Sequence, residues 1–154
     1  MKLYLVQHGK ARPKEEDPER SLSDEGKSEV EAVGKFLKKV GVKVTKIFHS
    51  GKLRALQTAE ILAKHIDVEL EKADGLEPLA EIDVWVERIK DIREDIMLVG
   101  HLPHLSRLAN YLIANNQELD AISFRFGGVV CLEREESEDG KWRILWIVRP
   151  EIVR

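Results

Sequence analysis

LYLVQHGKA, residues 3–11, decides the fold: four apolar residues run without alternation into Gln7, His8 and Gly9, after which the chain turns charged. An apolar run with no polar face is what a strand needs when both sides are covered, as in a parallel sheet. The pattern recurs twice. Residues 44–48, VTKIF, lead into His49-Ser50-Gly51, and DIMLVGH at 95–101 ends on Gly100-His101. A shorter strand is expected at 68–71.

Helical periodicity fills the gaps between these strands. Residues 10–21, KARPKEEDPERS, are polar with two prolines and read as a loop. Ser23 is placed to cap a helix with Asp24 and Glu25 in its first turn, Val30, Val33, Leu37 and Val40 on its apolar face, and Gly41 as its stop. Ser50 is read as the cap of a second helix, from about Lys52 to Ile66, with Ala55, Ala59, Leu62 and Ile66 facing inward. Ile82, Trp85, Val86, Ile89 and Ile92 mark a third. Pro103 suits the first turn of a fourth, lined by Leu105, Leu108, Ala109 and Leu112. GVVCLE and WRILWIV flank the turn-forming REESEDGK and read as an edge hairpin, with Trp142 and Trp146 on one face. Strand–helix alternation of this kind predicts an α/β fold: a three-layer sandwich with a mostly parallel central sheet flanked by helices and a C-terminal edge hairpin, in one domain over residues 1–154.

Composition narrows the function. The 154 residues are 43% hydrophobic and 34% charged, with a net charge of -3. That balance suits an ordinary globular protein and gives no basic footprint for nucleic acid. No stretch approaches the roughly 18 apolar residues of a membrane span, and the N-terminus has no signal-peptide pattern. The one cysteine, Cys131, sits in an apolar run and reads as a buried thiol; with no internal disulfide available, a cytoplasmic location is expected.

In open α/β sheets ligands bind beyond the carboxyl ends of the strands. If the three strands are parallel neighbours, His8, Arg54 and His101 meet in one crevice. Two imidazoles and a guanidinium around a shared space suit an anion, most naturally a phosphoryl group. Gly9 permits a sharp turn, and Ser50-Gly51 places free amides at a helix start. A metal site on His8, His101 and His104 is a weaker reading of the same histidines.

LVQHGKA, with HSGKLRALQTAEIL and VGHLPHLSRLANYL, resembles the histidine phosphatase superfamily, and within it the small SixA-type phosphohistidine phosphatases. The resemblance runs from Leu3 to about Leu132. It implies that His8 is a nucleophile that becomes phosphohistidine, that Arg54 and His101 hold the phosphoryl oxygens and stabilise the transition state, and that neither metal nor other cofactor is needed. The family's first motif usually reads Arg-His-Gly, whereas this chain has Gln7, an amide in place of a charged fork. Either Lys10, Arg12 or Lys52 supplies the missing charge, or the site binds phosphate with little turnover. For the proton donor the resemblance points to Glu77, with Glu81 and Asp83 as rivals. A phosphohistidine substrate expels imidazole, a better leaving group than an alkoxide, and so depends less on an acid. The expected substrate is therefore a phosphohistidine-bearing partner protein, such as a signalling phosphotransfer domain, met by a monomer. A small phosphomonoester is the alternative. Gln57 and Thr58 read as packing and local hydrogen bonding around Arg54.

Overall fold

A computed structural model describes residues 1–136 and 140–154. Strand β1 (Lys2–Gln7) runs through the middle of a six-stranded sheet. Parallel to it lie β4 (Ile96–Gly100), β2 (Ile47–His49) and β3 (Leu70–Lys72); on its other side β5 (Val129–Arg134) and β6 (Trp142–Val148) pair antiparallel. The strand order is β3-β2-β4-β1-β5-β6. This is the α/β sheet with an edge hairpin that the sequence predicts. The middle of the hairpin's turn, residues 137–139, lies outside the described residues.

The apolar run of β1 feeds two cores. Leu3 and Leu5 face α3 (Asp83–Lys90) and α4 (His104–Ala114), packing with Trp85, Ile89, Leu105 and Leu108. Tyr4 and Val6 point the other way, onto Val33 and Leu37 of α1 (Asp24–Lys39) and Ala59 and Leu62 of α2 (Leu53–Ile66). Each fully buried leucine contributes on the order of 2 kcal/mol, so both faces of the strand must be apolar. A short C-terminal helix, α5 (Pro150–Val153), adds Val153 to the α1 side. Among the described residues no helix is long and apolar enough to cross a membrane.

Several local expectations are corrected. Ser23 caps α1 through a 3.0 Å bond from the Gly26 amide, and Gly41 follows at φ +78. Val40, however, is the C-terminal cap and lies 53% exposed, outside the apolar face. Residues 44–46 precede β2, because the ladder to β3 and β4 begins at Ile47. β3 is displaced to Leu70–Lys72 for the same reason. Pro103 is the N-terminal cap of α4, one position earlier than expected. Trp142 and Trp146 do not share a face. Cys131 pairs with Trp146 but Leu132 with Ile144, so Leu145 is an extra residue, and the bulge inverts the alternation. Trp142 joins the α3/α4 core, while Trp146 packs on Tyr4 at 5.8 Å between ring centroids. Cys131 is buried, and burial pushes its thiol up to about 12.

Candidate active site

Register places the three strand ends together. Gln7 pairs with Gly100, and the His8 amide donates to the Gly100 carbonyl at 3.0 Å, so His8 and His101 leave adjacent strands side by side. Their ring centroids are 5.0 Å apart. On the far side of β4, Ser50 follows β2 and its Oγ lies 2.6 Å from His101 Nε2. Ser50 was expected to cap α2. Lys52 is the cap residue instead, and the serine hydroxyl accepts from the Lys52 amide at 3.3 Å while engaging His101. Its neighbour His49 is also buried, with Nδ1 accepting the Gly51 amide at 3.1 Å, which shapes the turn.

The His8 ring has a defined tautomer. Nδ1 lies 2.7 Å from the Gly9 carbonyl, which can only accept. Nδ1 therefore carries the hydrogen, and Nε2 keeps its lone pair. Burial lowers the pKa of His8 to about 4, against the opposing pull of the Gly9 carbonyl and with smaller contributions from Arg54 and Arg20. At neutral pH the ring is uncharged. Burial, then His8, Arg54, Lys52 and His104, lowers His101 to about 3.

Arg54 sits at the second position of α2, where its motif anchors both ends of the loop after β1. The Thr58 hydroxyl donates to the Arg54 carbonyl at 2.8 Å and accepts the Gly9 amide at 2.9 Å, while Gln57 Oε1 accepts the Leu22 amide at 2.7 Å. These two residues tie α2 to the loop after β1, a longer reach than local packing. Among the described residues, Arg54 Nε, His101 Nδ1 and Gln7 Oε1 find no hydrogen-bond partner though buried. Buried polar groups left unpaired are costly, and an anion entering the crevice offers acceptors to the donors among them.

Of the three cations expected to replace the missing arginine, two are engaged elsewhere. Lys10 pairs with Glu25 at 2.8 Å, and Arg12 with Glu16 and Asp24 at 3.4 and 3.3 Å. Lys52 remains, acting on His101. The sequence reading missed Arg20, whose charge acts on both His8 and Arg54. It also missed Phe126, whose ring lies 5.5 Å from that of His8 at 43°. The Gly127 amide, at φ +74, donates to the Gln7 and His8 carbonyls at 2.9 and 3.2 Å and fixes this loop. The Gly-Gly pair after Phe126 was the signal available for it.

Glu77 lies in the loop that brings the Leu76 carbonyl against Gly100. Its Oε2 accepts the Gly75 amide at 3.1 Å, and its charge acts on His104, whereas the charges acting on His8 are arginines. Its rivals Glu81 and Asp83 are exposed, Asp83 as the first residue of α3. His104 itself is fully buried, and burial lowers it to about 4. Among the described residues no three His, Cys, Asp or Glu side chains gather in a metal-ligating group, so His8, His101 and His104 do not form one. His65, late in α2, hydrogen-bonds Glu31 and is partly covered.

The chain matches the family description "Histidine phosphatase superfamily (branch 1)" over residues 3–95. It belongs to that superfamily. A histidine phosphatase relative over most of its length is an uncharacterized protein of Picosynechococcus sp., 31% identical over 140 residues, covering 86% of this chain and 84% of that one. The mitochondrial serine/threonine-protein phosphatase Pgam5 of Drosophila yakuba is 37% identical over 71 residues, 46% of this chain but only 25% of that protein. The histidine phosphatase fold is evident in the solved structure of the protein histidine phosphatase SixA complexed with tungstate, at TM-score 0.86 and 20% identity with 100% of both chains covered.

Three of the four buried histidines with lowered pKa, His8, His101 and His104, are shifted far enough to give this histidine phosphatase a definite response to acid. Above pH ~6.5 they are neutral both folded and unfolded. Below it the unfolded chain takes up protons that the folded chain refuses until about pH 4, so stability is lost across that window. The melting temperature should fall between pH 6.5 and 4, and His104→Leu should flatten that slope. An unchanged slope would refute the assignment of His104 as a buried neutral ring.

Proposed function

We propose that this protein is a phosphatase that forms a phosphohistidine intermediate on His8 and hydrolyses phosphohistidine in a partner protein. The observation that carries the reading is the His8 tautomer: Nδ1–H committed to Gly9 and a free Nε2 lone pair, with His101 5.0 Å away and Arg54 and Arg20 acting on the ring. In the first step Nε2 attacks phosphorus while the substrate's P–N bond breaks. The departing imidazole keeps the bonding pair and takes a proton from solvent. In the second step water attacks phosphorus, the Nε2–P bond breaks, and the pair returns to His8 as phosphate leaves with the oxygen of that water. The donors of Arg54 and His101 stabilise charge on the equatorial oxygens in both steps. The residues supply this chemistry without a metal.

Phosphohistidine is favoured over alkyl phosphates because the charges acting on His8 are the cations Arg54 and Arg20, and Glu77, the expected acid, already accepts the Gly75 amide. An alkoxide needs a proton as it leaves; an imidazole needs one far less. A phosphohistidine peptide should therefore be cleaved at least about 100-fold faster, in kcat/KM, than the corresponding phosphoserine peptide, on the scale that general acid catalysis contributes. Equal rates would contradict the specialisation and favour a phosphomonoesterase. Structures sharing this fold include a phosphoserine phosphatase from Entamoeba histolytica, at TM-score 0.73 and 13% identity.

Gln7 motivates a second reading, a phosphate-binding module with little turnover. Arg20 argues against it by restoring a positive charge beside His8. Gln7→Arg should still raise kcat, by about fivefold, because a charged fork binds phosphoryl oxygens more strongly than an amide. An unchanged or lower kcat would show that charge at this position does not limit the rate.

A further inference from the structure

Beside the phosphoryl crevice lies an open cleft of about 590 Å3, between the loop after β1 and the start of α2. Its charged lining is Lys14, Arg20, Lys52 and Arg54, with Glu19 the single carboxylate. Lys14 and Lys52 are exposed, so the cleft opens to solvent. Neighbouring Lys10 and Arg12 are held in ion pairs, but none of the four cleft cations is in a salt bridge among the described residues. Arg20 and Arg54 repel each other strongly enough to lower the proton affinity of Arg54 further than burial alone. In a chain of net charge -3, four cations gathered around a single carboxylate mark a surface that meets an anion.

One phosphoryl group does not answer this charge. A phosphoryl dianion and Glu19 neutralise three of the four positive charges, and the outer wall, where Lys14 stands, is left over. The volume is within the roughly 300–1,000 Å3 of ligand clefts, more than a tetrahedral anion fills. Its open side suits a segment of polypeptide lying across it rather than an engulfed small molecule.

We propose that this cleft is a second anion subsite, which takes an acidic side chain flanking the phosphorylated residue of a protein substrate. The inference rests on the phosphohistidine phosphatase reading and extends it to substrate choice. Arg54 and Arg20 face the phosphoryl group, and Lys14 and Lys52 read the neighbouring carboxylate.

The test compares three substrates: two phosphohistidine peptides that differ only in Glu or Ala beside the phosphorylated residue, and phosphoimidazole. Wild type should favour the Glu peptide by about tenfold in kcat/KM, with the preference collapsing at about 0.5 M salt as exposed charges are screened. Lys14→Glu should remove the preference and leave phosphoimidazole and the Ala peptide unchanged; Lys14→Arg should keep it. Equal rates for the two peptides in wild type, a preference that survives Lys14→Glu, or equal slowing of all three substrates would overturn the proposal. A separate measurement reads the subsite without turnover: an unphosphorylated Glu-containing fluorescent peptide should bind wild type more tightly than Lys14→Glu, and equal binding overturns the subsite. Failure of the phosphatase reading has a different signature, wild type leaving phosphoimidazole intact.

Discussion

His8→Ala should lower kcat by about four orders of magnitude or more, the scale seen when a covalent nucleophile is removed. No neighbour can take over. His101 Nε2 is engaged with Ser50 Oγ at 2.6 Å, and His101 leaves a different strand from His8. The fold should survive the change. Among the described residues His8 hydrogen-bonds through its side chain only to Gly9, the residue beside it, and its backbone bond to Gly100 is untouched. Stability against acid should even improve, because one of the rings that refuses protons is gone. Activity within tenfold of wild type, in protein with a normal melting curve, would remove His8 from the chemistry.

Arg54→Ala should cost about 10²–10³ in kcat/KM, the range for removing one strong donor from a developing negative charge. Arg54→Lys should recover only a small part of that, since an ammonium is a point charge and cannot fork onto two oxygens. Stability should move the opposite way. Arg54 Nε is buried without a partner among the described residues, and Arg20 repels the guanidinium. The ties to Thr58 use the Arg54 carbonyl, not its side chain. Arg54→Ala should therefore melt at or above the wild-type temperature while losing activity. Loss of both together would make Arg54 a structural residue.

What was legible in the sequence was local or strictly periodic. Apolar runs that end in His-Gly, His-Ser-Gly and Gly-His located three strands and two of the candidate site residues, His8 and His101, because a strand covered on both faces allows few other patterns. The features missed depend on pairing across distance. The bulge at Leu145 has no signature within β6 and exists only in its register with β5. Arg20 is one charge in a polar loop. It reaches the site because Asp17 accepts the Arg20 amide at 2.9 Å and the Ser21 amide at 3.0 Å, holding Arg20 at φ +54, while Gln57 fastens Leu22 to α2. Lys10 and Arg12 look equally suitable in the sequence, but they lose to nearby carboxylates that only the folded loop brings within reach. Ser50 fits a helix-cap pattern that its contact with His101 overrides.

The most direct test of the account is rapid acid-avoiding quench of wild type during turnover of phosphoimidazole, followed by mass spectrometry of the peptide containing residues 3–11. The account predicts one phosphoryl group on His8, labile to acid, formed before phosphate is released and lost as turnover ends. Steady turnover with no phosphoryl group on His8 at any time would contradict it.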